Sequence, residues 1–171
     1  MPVIRKNDPT AMIILAGMAG VNDDFVQTLA AGGVFEASDL LSIHPYAGRS
    51  PAWDMVYGQF EGLLMSMGIT KEIYCNESGF PFKNSEWFRA PPVLDEDVQA
   101  WMLDVAMGRL TASGACKIVV FHCGGDDHHF GLFDRAGRPR PGYHVMEDYM
   151  RLSGRDGRWC SLSLANEYGD P

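Results

Sequence analysis

No stretch of this chain gathers lysine or arginine, and that absence excludes a good deal. With 14 basic against 22 acidic side chains, a formal net charge of -8 and a pI near 5.0, the chain has little with which to displace counterions from a phosphate backbone. A nucleic-acid partner is not expected; a neutral or cationic small ligand is easier to accommodate. Long apolar runs are missing too. None approaches the roughly 18 residues of a membrane span, and residues 1–10 contain no signal-peptide core. A membrane partner is not expected, and a cytoplasmic location follows if Met1 is the true start. The four cysteines, Cys75, Cys116, Cys123 and Cys160, show no Cys-x-x-Cys spacing, which argues against a zinc ribbon. Cys75 and Cys116 lie in apolar runs, where a reduced thiol acts as a small apolar side chain. There is no internal repeat and no low-complexity linker.

What is present points to one packed unit. Hydrophobic residues make up 46% and aromatics 11% of the chain, enough for a substantial core. At 171 residues the chain is short of the roughly 250 that an eight-stranded (β/α) barrel needs. Ile4, Arg5 and Lys6 followed by Asn-Asp-Pro-Thr read as the end of a helix and a turn. Residues 12–16 are continuously apolar and predict a buried strand. Asp23 or Asp24 can cap a helix over 25–31, ended by Gly32-Gly33. A second strand spans 40–44. Ser50 as cap and Pro51 at the first helical position open a helix to Met67, which Gly68 ends. A third strand spans 72–77, and residues 82–93 form an aromatic loop. Asp95 and Glu96 begin a helix through Ala112. A fourth strand covers 117–122, a glycine-rich loop 124–141, a last helix 143–152, and a further edge strand 159–164. Four strands each followed by a helix, with no hairpin between them, predict right-handed crossovers and a parallel sheet in an α/β fold.

The third strand organises the chemistry. It stops at Glu77, and Ser78-Gly79 and Pro81 mark its end. Alternation puts Ile73, Cys75 and Glu77 on one face and Tyr74 and Asn76 on the other. The second strand ends at His44 and the fourth at His122, so neighbouring strands would bring His44, Glu77 and His122 side by side at the carboxyl rim, where parallel α/β folds meet substrate. Ser42, Cys75 and Val120 would lie beneath them, with Tyr46 and Trp87 as a roof. Each has a bland alternative: a satisfied strand-end histidine, a loop salt bridge for Glu77, and a loop folded on its own aromatics for Trp87 and Phe88. Three polar strand ends in succession outweigh any single one.

These motifs carry a resemblance. His44-Pro45-Tyr46, Asn76-Glu77-Ser78-Gly79, Val119-Val120-Phe121, Phe130-Gly131-Leu132-Phe133-Asp134 and Gly137-Arg138-Pro139-Arg140-Pro141-Gly142-Tyr143 together resemble the second half of a retaining glycoside hydrolase built on a (β/α)8 barrel. The likeness rests on their order and spacing, for Glu-Ser-Gly alone is weak, and it runs from Asn7 to the helix after strand eight. It implies four consecutive βα units over residues 1–171, half of a TIM barrel, truncated at the N-terminus. It also implies that Glu77 is the strand-seven nucleophile, that His44, Tyr46, Asn76, Trp87 and His122 line the sugar subsite, and that neither cofactor nor metal is needed. The chain departs from the pattern in two ways. His122 and Cys123 stand where a stacking tryptophan is usual, and the acid/base glutamate of strand four has no counterpart. Asp126 and Asp127 sit in a loop that solvation explains as well.

Two other readings stay open. One is a non-catalytic carbohydrate-binding or assembly half-barrel. The other is a metal-dependent hydrolase using His44, Glu77 and His122, with His128 and His129 from the loop. Free sheet edges in a half-barrel would pair either with a missing N-terminal half or with a second copy in a homodimer.

Overall fold

The structure is a computed structural model that describes residues 2–46, 52–83, 95–113, 117–118 and 129–153. Helix α1, Pro2–Asn7, starts at a proline, whose missing N–H is no loss at a first helical position, and ends with Arg5 and Lys6 where the helix dipole favours cations. Arg5 pairs with Asp39 at 2.7 Å, and the other Asp39 oxygen accepts the Ile13 N–H at 2.7 Å. Those two bonds, the backbone one first, hold the Asp39 carboxyl below its ordinary range, and the Arg5 pair fastens α1 to Asp39.

The apolar run over 12–16 is not the buried strand its composition predicts. Ile13 is buried, but Met12 and Ile14 are 68% and 44% exposed. Pairing there is a single bridge, Ile14 with Leu40, and the regular strand β1 follows at Met18–Ala19. It lies at one end of the described sheet.

Helix α2, Asp23–Ala31, is capped by Asn22, whose Oδ1 accepts the Phe25 N–H at 2.9 Å. The expected caps, Asp23 and Asp24, fall inside the first turn, where they complement the dipole instead. A short helix α3, Val34–Ala37, was not foreseen. Its last carbonyls are satisfied by Lys71 Nζ, which donates to Phe35 O at 2.6 Å, to Glu36 O at 3.2 Å and to Ser38 O.

Strand β2, Leu41–His44, follows. Helix α4, Trp53–Ser66, takes Ala52 as its cap residue with no side-chain bond, so it begins two residues after the expected start; Ser50 and Pro51 lie outside the described residues. Strand β3 is Ile73–Cys75, shorter than the apolar run. Helix α5, Glu96–Ala112, begins as expected, with the Asp95 carboxylate accepting the Val98 N–H at 2.8 Å. Strand β4 is Lys117–Ile118; the rest of that predicted strand and the edge strand over 159–164 lie outside the described residues. Helix α6, Pro141–Ser153, starts two residues early, at its proline.

The sheet order is β1-β2-β3-β4, every pair parallel. Strands in chain order, joined by helices, give a singly wound sheet. Leu41, Ile43, Ile73 and Cys75 face the helices and join Val26, Phe35, Trp53, Phe60, Leu103 and Leu110 in one core. At about 1.5–3 kcal/mol for each large apolar side chain removed from water, this layer carries most of the stability that sets the strand ends in place.

Candidate active site

The β2–β3 ladder fixes which side chains can meet. Leu41 pairs with Ile73, Ser42 with Tyr74 and Ile43 with Cys75. Leu41, Ile43, Ile73 and Cys75 take the helix-packed face, so Ser42, His44, Tyr74 and Asn76 belong to the other. Strict alternation would send Glu77 toward the helices with Cys75, away from His44. It does not go there, because the regular strand ends at Cys75 and the backbone bends at Glu77. The expectation of a common face for Ile73, Cys75 and Glu77 therefore holds only for the first two, and Cys75 lies in the helix-side core rather than beneath the rim.

The bend brings the carboxylate to two partners. Tyr46 Oη donates to Glu77 Oε1 at 2.8 Å, and His44 Nδ1 stands 3.7 Å from Glu77 Oε2, with the two side chains 18% and 41% exposed. Burial first, then the bond to Glu77 and its negative charge, pushes the Tyr46 phenol above its ordinary pKa. It stays protonated and keeps donating. Phe130 meets the Tyr46 ring edge-on at 6.2 Å. Tyr46 and Glu77 are both partly accessible, so the carboxylate is oriented without being sealed from a ligand.

Gly17 completes this corner. A Cβ at residue 17 would overlap the His44 imidazole and fall 2.6 Å from Asn76 Oδ1. The imidazole and the carboxamide thus crowd the space that a side chain on the β1 segment would fill. From sequence, Gly17 reads only as the end of an apolar run.

The segment after Glu77 is anchored from below. Ser78 and Phe80 are buried, and Phe80 stacks flat on Trp53, centroids 4.6 Å apart. Gln99, fully buried on α5, donates from Nε2 to Phe80 O at 2.7 Å and Phe130 O at 3.2 Å. Phe82 N donates to His129 O at 2.7 Å. Arg140, 5% exposed, pairs with Glu96 at 2.8 Å and lies 4.0 Å from the Phe82 ring centroid. A glutamine in a helix pattern and an arginine in a turn give no hint in sequence that both clamp this loop.

His44, Tyr46, Asn76 and Glu77 thus come together, while Trp87 and His122 lie outside the described residues, as does His128. Among the described residues no group of three or more His, Cys, Asp or Glu could hold a metal ion. The contacts of Glu77 described are to a phenol and an imidazole.

No family model matches the chain, and no curated protein matches it. Solved structures do. Fungal beta-1,4-galactanases superpose with a TM-score of 0.59 at 12% identity, over 82% of this chain and 48% of theirs. The chain carries part of a TIM-barrel fold. A GH2 beta-galacturonidase from Eisenbergiella tayi bound to glycerol gives a TM-score of 0.56 at 16% identity, over 70% of this chain and 25% of its own. The same kind of enzyme bound to galacturonate gives 0.52 at 17% identity, with the same coverages. The chain spans between a quarter and a half of the length of these proteins, and at such identities the likeness concerns the fold.

Proposed function

We propose that this chain carries the nucleophile half of a retaining glycoside hydrolase site, with Glu77 as the nucleophile. The observation that supports this most directly is the Tyr46–Glu77 hydrogen bond of 2.8 Å, made at the carboxyl rim of a parallel sheet, where TIM-barrel enzymes work. In this reading the Glu77 carboxylate attacks the anomeric carbon and the bond from that carbon to the leaving oxygen breaks. A covalent glycosyl-enzyme forms, and water then displaces Glu77. Tyr46 fixes the carboxylate rotamer and stabilises its charge when it departs in the second step. His44 and Asn76 are poised to bond sugar hydroxyls.

Retaining chemistry also needs a second carboxyl group about 5–5.5 Å away to protonate the leaving oxygen. We infer that this proton donor comes from outside the four strands. The chain should then react with glycosides whose leaving group needs no protonation, and hardly at all with ordinary ones. Incubation with an activated fluorosugar followed by peptide mapping tests this. Label on Glu77, lost in Glu77→Gln, is expected. Label on other residues with Glu77 free, or no label, rejects the nucleophile.

The described contacts of Glu77, to a phenol and an imidazole rather than to a second carboxyl group, favour one second reading, a sugar-binding half-barrel without turnover. It predicts measurable sugar affinity, little changed in Glu77→Gln, and no covalent product.

A further inference from the structure

Beside this corner lies a cleft of about 380 Å³ walled by Gly17, Ala19, Gly20, Asn22 and Phe25. We propose that it is a second sugar subsite, so that the ligand is a neutral oligosaccharide lying across the end of β1 rather than a single sugar. This rests on the reading of Glu77 as a sugar-facing residue, and carries it to the class of ligand.

Three observations converge on it. The cleft adjoins the first site, since Ala19 is level with His44 in the β1–β2 ladder and a Cβ on Gly17, which lines the cleft, would run into His44 and Asn76. Neighbouring strands are about 4.8 Å apart, so a ring in the cleft is within linkage reach of one held by His44 and Asn76. Secondly, Phe25 is 50% exposed at the cleft wall, on the first turn of α2. An aromatic ring left half in water beside a cavity supplies the flat apolar surface that the C–H face of a sugar covers. Thirdly, small residues make up much of the rest of the lining, where Gly17, Ala19 and Gly20 stand with Met18, Val21 and Asn22. Gly20 holds a left-handed φ of 98°, and nothing lies within 4 Å of where its Cβ would be. Asn22 uses its Oδ1 on the Phe25 N–H, and its Nδ2 carries two further donors suited to hydroxyl oxygens. A chain of net charge -8 disfavours an acidic sugar.

The test is calorimetric titration of the full chain with neutral mono-, di- and trisaccharides of galactose, glucose and xylose, for the wild type, Phe25→Ala and Phe25→Trp. At least one series should bind more tightly with length, by about tenfold from one ring to two. Phe25→Ala should erase that gain and Phe25→Trp should keep it. Phe25 is exposed, so neither change threatens the core. No gain with length in any series, or a gain that survives Phe25→Ala, overturns the subsite. Labelling of Glu77 in the wild type decides the parent reading separately: label without a length effect leaves the nucleophile and removes the subsite, and a Phe25-dependent length effect without label does the reverse.

Discussion

Gly17→Ala is the sharpest perturbation the site offers, since it adds one methyl group at a point already occupied. The new Cβ would overlap the His44 imidazole and stand 2.6 Å from Asn76 Oδ1, so something must yield. Asn76 is exposed and its amide can rotate away. His44 has less room, with a side chain 18% exposed on a strand whose neighbours Leu41, Ser42 and Ile43 are fully buried. Either the imidazole swings off Glu77, or the β1 segment withdraws and loosens the pairing of Met18 with Ile43 and Ala19 with His44. Overpacking of this kind costs about 1–3 kcal/mol. The His44–Glu77 attraction is a small part of that, because a pair with one side chain 41% exposed contributes at most about 1 kcal/mol. Displacing a group by about 1 Å can slow a positioned reaction by about a hundredfold, so the rate of fluorosugar labelling should fall by more than the stability loss alone explains. Urea denaturation and labelling kinetics measure the two effects separately. The double variant Gly17→Ala, His44→Ala should recover stability, since removing the ring makes room for the methyl, and the cycle isolates the clash. Wild-type stability and labelling rate in Gly17→Ala would show that the imidazole is not seated against residue 17.

Other changes probe the same corner. Tyr46→Phe removes the donor to Glu77 Oε1 and should cost about 0.5–1.5 kcal/mol while slowing labelling. Because the folded phenol titrates above its unfolded value of about 10, its stabilisation is whole below that pH and drains away as pH rises beyond it. Denaturation at a series of alkaline pH values should show this loss in the wild type and less of it in Tyr46→Phe; identical profiles would contradict the assignment. Gln99→Leu leaves the Phe80 and Phe130 carbonyls without their buried donor and should destabilise by about 1–3 kcal/mol. A neutral result in equilibrium unfolding would mean that those carbonyls find water or another donor.

The fold was legible where local chemistry decides it. Apolar runs bounded by turns located β2 and β3, Asp95 announced α5, and the absence of hairpins implied parallel pairing. Caps were harder, because Asn22, Asp23 and Asp24 are all competent and the backbone conformation, not the side-chain type, selects Asn22. The apolar run over 12–16 predicts burial throughout, but composition cannot reveal that Ile13 is covered while Met12 and Ile14 stay exposed. At the candidate site, the places of His44, Tyr46 and Glu77 at strand ends foretell that the three side chains lie close together. The face of Glu77 is not foretold, since alternation was carried one residue beyond the point where the strand stops. Gly17, Gln99 and Arg140 make their contacts through space, and nothing in their immediate sequence marks them.

If Glu77 is the nucleophile proposed above, the bend that positions it also bears on how a proton donor would be delivered. The described sheet ends at β1 on one side and β4 on the other. A strand added beyond β4 would stand two spacings from β3, and one beyond β1 three, about 10–14 Å along the sheet. Retaining chemistry requires the two carboxyl groups about 5–5.5 Å apart. Curling the sheet into a barrel shortens that separation, because the chord across its mouth is shorter than the arc. Ile14 lies level with Leu40, on the face that also carries Ser42 and His44, and it is 44% exposed. On the proposed reading, closure by strands beyond the described sheet would bury that residue and bring a second carboxyl group towards Glu77 in one step.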